Sequence, residues 1–386
     1  MSDFNTNKRK TVGIYIHVPF CLSKCHYCDF CSVTGANGEK KELYVKRLCD
    51  EISLFAEKIG ESGDLPTADT VYFGGGTPTL MSAEQFSRIL KAVELGFGIA
   101  DGAEITAECN PRSIDGKGLT DLRRSGVNRL SIGMQSIHDG ELKALGRIHG
   151  SGDFFETFSS ARGAGFDNIS VDLMYGIPRQ TKESFSRSVE TLAVAGPEHI
   201  SSYALTVEEG TNFHRRRDSL DLPDEDLVSD MYADMGEILS KYGYHKYEIS
   251  NFAKEGRESR HNLKYWRCDD YLGFGSAAHS YFDGVRFAHS SDIDAYIDGK
   301  RTIIESERIE KSEAMNEYVM LGMRLSRGLD ALDFNARFGE ELFDVFGRIK
   351  KYSPDFVEIS AKGCRFTEKG MFVSNTILAD VLDFGE

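Results

Sequence analysis

Val12-Gly-Ile-Tyr15-Ile-His-Val18-Pro-Phe-Cys21-Leu-Ser-Lys-Cys25-His-Tyr27-Cys28 is a strand that runs straight into a thiol-rich loop. The β-branched and aromatic residues of Val12–Val18 favour a pleated, half-buried segment, and Pro19 ends it. Similar runs recur at Thr70–Phe73, Glu104–Ala107, Arg129–Ile132, Ile169–Leu173 and His199–Leu205. Between them lie stretches such as Lys40–Ile59, Ala83–Val93, Gly116–Ser125, Gly152–Ala164 and Lys182–Ala195. Their apolar residues return every three or four positions, as on a surface helix. Six strand–helix units of this kind predict an α/β fold, a partial (β/α)6 TIM-like barrel. Its chemistry belongs at the C-terminal ends of the strands.

Beyond the sixth unit the pattern changes. Tyr244–Phe252 reads as one more strand, and Arg260–Tyr281 is aromatic and glycine-rich without a clear period. A helical stretch begins near Glu313 and runs to about Leu325. Leu332–Phe338, Phe343–Tyr352, Val357–Ser360 and Cys364–Thr367 then read as helix, helix, strand and strand, a winged-helix-like α+β order. The expected organisation is a barrel over 1–245, a connecting region over 246–310 and a C-terminal winged-helix-like domain over 311–386. From residue 330 onward seven Lys and Arg face eleven Asp and Glu, so a packing or partner surface is expected there rather than a DNA-binding one.

Composition narrows the function classes. The chain has 386 residues, 40% of them hydrophobic and 28% charged, with a formal net charge of −15. Nucleic-acid binding draws on phosphate neutralisation, so this balance argues against DNA or RNA as a partner. Arg215-Arg216-Arg217 is the obvious candidate for a local basic patch, read as a solvated face. No apolar run reaches membrane-spanning length. The polar opening Met1–Lys10 leads into the first strand without a secretory leader, so the expected location is cytoplasmic, where thiols stay reduced.

The chain has 8 cysteines, three of them at the spacing C-x3-C-x2-C in the loop Cys21–Cys28. A cubane iron–sulfur cluster normally takes four cysteine ligands. Three leave one iron open to an external amine and carboxylate, which S-adenosylmethionine supplies. Zinc held with Cys31, His17 or His26 competes with this reading, as do inert buried thiols. Polar groups then mark strand end after strand end. Tyr15 precedes the loop. Gly74-Gly75-Gly76-Thr77-Pro78 lets backbone N–H groups approach a ligand. Glu108-Cys109-Asn110-Pro111 offers a carboxylate for ribose hydroxyls, and Gly133-Met134-Gln135-Ser136 offers an amide. Arg147 suits a carboxylate, and Asp172 ends the fifth strand. Singly, each is as well read as a cap or a surface polar group.

Taken together, the cysteine loop, Gly-Gly-Gly-Thr-Pro, Glu-x-Asn-Pro and Gly-x-Gln-Ser resemble radical S-adenosylmethionine proteins. More narrowly they resemble the branch of the oxygen-independent coproporphyrinogen III dehydrogenase HemN and the haem chaperone HemW. Phe366-Thr367-Glu368-Lys369-Gly370 also fits that branch. The resemblance implies a 4Fe–4S cluster on Cys21, Cys25 and Cys28. It implies S-adenosylmethionine contacts from Tyr15, Gly75, Gly76, Thr77, Glu108, Gln135, Arg147 and Asp172, with Tyr27 touching a ligand from within the loop. Two functions lead, and behind them stand a radical enzyme acting on an unrelated substrate and a scaffold that keeps the fold without the chemistry, against which the retained cysteines and strand-tip polar groups speak. One of the leading two is a chaperone that carries haem to haem-dependent respiratory proteins, with a donor such as flavodoxin or ferredoxin and transient membrane association. The other is oxidative decarboxylation of coproporphyrinogen III. Phe30 stands where the dehydrogenase pattern has a fourth cysteine, Cys21 comes too early for the dehydrogenase's N-terminal extension, and His261-Asn-Leu-Lys-Tyr265-Trp266 matches the chaperone's H-N-x-x-Y-W. All three favour the chaperone. On that resemblance His261 is the expected haem ligand, while a histidine in an aromatic segment is as readily read as one hydrogen-bonded in a core; His279 and the other histidines remain candidates. Cys31 departs from both patterns and its role stays open.

Overall fold

The computed structural model describes residues 10–61, 63–300 and 303–382. The polar opening through Arg9 lies outside them. Six parallel strands form the centre: β1 (Thr11–Val18), β2 (Thr67–Gly75), β3 (Ile99–Cys109), β4 (Arg129–Gln135), β5 (Ile169–Tyr175) and β6 (His199–Ala204). Each is followed by at least one helix. Helix starts are fixed locally. The Asn37 side chain accepts from Lys40 N at the head of Gly38–Gly60, and Ser82 and Gln85 form a capping box at Ala83–Phe97.

The strands alternate two chemistries. Val12, Ile14, Ile16, Val71, Phe73, Leu130, Ile132 and Val171 point outward into one core shared with the helices. Each large member, fully buried, contributes about 1.5–3 kcal/mol of transfer free energy. The opposite parity carries Tyr15, His17, Thr70, Tyr72, Glu104, Glu108, Ser131 and Asp172, which interact with one another across the inner face. The inside of this barrel is polar because every second residue of its strands is polar.

The sheet is larger than six strands. It has twelve, and Tyr271–Phe274 pairs parallel with β1 on the side away from β2. His279–Phe282, Val285–His289 and Ile303–Arg308 extend that flank in antiparallel fashion. Beyond β6 the segment read as one strand is instead a bent pair, His245–Lys246 and Asn251–Ala253. Glu248, fully buried, sits at the bend, where its carboxylate accepts from Ser250 N. Residues 246–310 therefore complete the sheet at both of its flanks.

The aperiodic stretch also contains a short helix, Arg260–Trp266. The C-terminal part has its own core around Val319, Phe334, Ile349 and Val357. It begins with the helix Lys311–Gly322, and a three-stranded sheet of Leu329–Asp330, Gly363–Phe366 and Val357–Ser360 follows. Among the described residues no helix is long and apolar enough to cross a membrane.

Candidate functional site

The loop that leaves β1 and the tips of β2 to β6 enclose a cavity of about 480 Å3. Cys21, Cys25, Tyr27, Cys28, Gly75, Gly76, Glu108, Gln135, Arg147 and Asp172 all line it. Residues from 21 to 172 are brought together because parallel strands bring their C-terminal ends to one rim.

The thiol loop is tied to the sheet at several points. Gly76 N donates to Val18 O at 2.8 Å and Thr77 N to Phe20 O at 2.7 Å. A Cβ on Gly76 would stand 2.7 Å from Phe20 O, so only glycine admits this approach. The Thr77 hydroxyl donates to Cys21 Sγ at 3.7 Å, and Arg147 Nη1 donates to Cys25 Sγ at 3.5 Å. Arg147 Nη2 also bonds Asn110 Oδ1 and Gly133 O, and Asn110 Nδ2 donates to Thr77. One guanidinium thus joins the thiol loop to the ends of β3 and β4.

Burial pushes the Cys21 thiol up and the Cys28 thiol up to about 11. Both are neutral until a cation displaces their protons. Among the described residues no three His, Cys, Asp or Glu side chains stand at single-ion distances. A cubane presents its irons at separate corners, so its thiolates lie further apart than the ligands of one ion. Donors directed at two of the three sulfurs fit anionic thiolates at those positions. The Cys31 thiol points elsewhere, donating to Ser291 O at 3.4 Å.

Beside the thiols are two carboxylates. Glu108 accepts from the Tyr72 hydroxyl and from Gly75 N, both at 3.0 Å. Burial and the nearby Asp172 raise its pKa to about 7. Asp172 accepts from Ser131 at 3.1 Å, and burial raises it to about 6. Gln135 adopts a left-handed φ of 70°, and its buried Oε1 has no partner among the described residues. An unpaired buried acceptor costs about 1–3 kcal/mol, so a ligand that donates to Gln135 fits this cavity. Tyr27 lies against Arg147.

Two expected ligand contacts lie one layer back. Tyr15 bonds His17 Nδ1 at 3.2 Å and does not line the cavity, and Thr77 is buried behind Cys21. Ser131, Met174 and Tyr203 line the cavity as well, although the sequence motifs assign them no role. Met174 and Tyr203 stand next to the ends of β5 and β6, Ser131 lies within β4, and Ser131 and Tyr203 share the polar parity, which was the signal available.

His261 does not line the cavity. It sits deeper in the barrel, at the level of Thr70 and Glu104, which pair across the middle of β2 and β3. It is 1% exposed, Nδ1 lies 2.8 Å from Thr70 Oγ1, and Nε2 lies 2.8 Å from the Tyr265 hydroxyl. Burial lowers its pKa to about 3. In this arrangement both ring nitrogens are engaged by hydroxyls. His279, by contrast, is exposed, and its imidazole has no hydrogen-bond partner among the described residues, its backbone pairing with Ala288.

Residues 15–192 match the model of the radical SAM superfamily, and residues 309–373 match that of the HemN C-terminal domain. The heme chaperone HemW of Bacillus subtilis strain 168 is 34% identical over 95% of this chain and 98% of its own. HemW of Escherichia coli K12 is also 34% identical, over 86% and 87%. The solved structure of coproporphyrinogen III oxidase, HemN, from Escherichia coli superposes with a TM-score of 0.83. It covers 98% of this chain and 91% of that one at 24% identity, and so shares the fold. Identity of this extent to HemW proteins, on a radical SAM fold whose strand ends carry the thiol loop, means that the chain belongs to the HemW family.

Proposed function

We propose that this protein is a radical-SAM-type haem chaperone, which binds haem and delivers it to haem-dependent proteins. The observation that carries the reading is the convergence of three loop thiols, a glycine turn and two carboxylates on one cavity. Cys21, Cys25 and Cys28 hold a 4Fe–4S cluster, and S-adenosylmethionine lies along the strand tips. When bound, the cluster supplies one electron to the sulfonium of that nucleotide. The chain's own residues position the parts. Glu108 accepts the ribose hydroxyls, Gln135 Oε1 gains the donor it lacks, and the Gly75–Gly76 backbone admits close approach. Arg147 and Thr77 hold two thiolates by hydrogen bonds.

Haem is the cargo. His279 is the accessible imidazole proposed as its axial ligand, on the flanking strand His279–Phe282 and near His17. His17 Nε2 in turn lies 2.9 Å from Cys31 O on the thiol loop. Titration of haem into anaerobically reconstituted protein tests the reading. We expect saturable binding with a Soret band that shifts in His279→Ala and persists in His261→Ala. An unchanged band in His279→Ala together with loss in His261→Ala would return the ligand to the buried helix.

A further inference from the structure

The Arg260–Trp266 helix has no part in the cavity, yet a continuous chain of contacts leads from it to Glu108. Its first turn is held by Glu104 on β3, whose carboxylate accepts from Arg260 N at 3.1 Å and His261 N at 3.0 Å. Lys264 Nζ pairs with Asp69 at 2.8 Å, with the lysine side chain 8% exposed. His261 spans Thr70 and Tyr265 and stacks on the Tyr72 ring at 5.2 Å and 26°. Tyr15 also lies near-parallel to Tyr72, with ring centroids 6.2 Å apart at 22°. Tyr72 then donates to Glu108 Oε1, whose other oxygen is held by Gly75 N. Of the two rings stacked on Tyr72 the closer is the His261 imidazole, whose own two nitrogens are pinned.

We propose that His261 is a positioning residue for the nucleotide site, acting through Tyr72 on Glu108. This rests on the reading that Glu108 contacts S-adenosylmethionine. The carboxylate must be presented in one geometry for a bidentate acceptor role, and a displaced group loses most of that benefit. Removing the imidazole leaves Tyr72 with a void on one face. Its hydroxyl can then leave Glu108, and the carboxylate can swing away from Gly75.

A double-mutant cycle on the cluster-loaded protein separates this role from simple loss of stability. S-adenosylmethionine affinity is measured by calorimetry in wild type, His261→Ala, Glu108→Gln and the double variant. We expect His261→Ala to weaken binding about tenfold in the wild-type background and less than twofold in the Glu108→Gln background. Tyr72→Phe, which removes only the linking hydroxyl, should reproduce the loss and not add to it. If His261→Ala does not fold, Tyr265→Phe and Tyr72→Phe carry the same test with smaller perturbations. Equal losses in both backgrounds, or unchanged affinity in His261→Ala and Tyr72→Phe, would overturn the positioning role and leave the site reading intact. Absence of binding by wild type would overturn both.

Discussion

Gly76→Ala should damage the site through the backbone alone. The added Cβ would lie 2.7 Å from Phe20 O, 2.8 Å from Phe20 N and 2.8 Å from Val18 O. All three are main-chain atoms that cannot rotate away. Relief requires the tip of β2 to separate from the segment leading into Cys21. That movement breaks Gly76 N to Val18 O and Thr77 N to Phe20 O. Each such bond is worth about 0.5–1.5 kcal/mol net, and overpacking adds about 1–3 kcal/mol where it cannot relax. The expected destabilisation is about 2–6 kcal/mol, a large share of the roughly 5–15 kcal/mol that typically holds a domain. Urea unfolding of the cluster-free protein measures it. Iron per chain after anaerobic reconstitution should fall in parallel, because Cys21 and its Thr77 donor move apart. A change below about 0.5 kcal/mol with full iron loading would refute the argument that this glycine sets the loop against the sheet.

Three further outcomes follow from the geometry. Ala at Cys21, Cys25 or Cys28 should abolish the visible absorbance of the cluster, whereas Cys31→Ala should leave it largely intact; equal loss in all four would refute three-cysteine ligation. Arg147→Lys loses the fork that reaches Cys25, Asn110 and Gly133, so iron retention in air should shorten measurably. Glu108 and Asp172 have folded-state pKa values raised to about 7 and about 6. Their protonated forms are favoured by folding, so stability of the ligand-free protein is full below the unfolded carboxylate range and is lost as pH rises through about 6 to 7. Melting temperature across pH 5 to 8 should show that fall, and Glu108→Gln should flatten it.

The six strands and the rim they form were legible because the inner and outer parities differ in chemistry along the central strands. Val71 and Phe73 face outward, while Thr70 and Tyr72 face in, and the hydrophobic period alone separates them. The flanks were not legible. Tyr271–Phe274 is four residues long, and nothing in its own sequence shows that it pairs with β1, more than 250 residues earlier. The seven-residue Arg260–Trp266 helix falls below the length at which a 3.6-residue period is readable. His261 shows the same limit for a site. Its type and motif are those of a ligand, but its fate is set by Thr70 and Glu104, more than 150 residues away. Short-range pattern locates a chemistry-bearing residue, and the tertiary partners decide whether its lone pairs are free.

The claim that this is a haem carrier rather than a decarboxylase is tested most directly by product formation. Cluster-loaded protein is incubated anaerobically with coproporphyrinogen III, S-adenosylmethionine and a reductant, beside a parallel sample containing haem. The account predicts haem retained on the protein through gel filtration and no protoporphyrinogen formed. Protoporphyrinogen appearing at repeated turnover would contradict it.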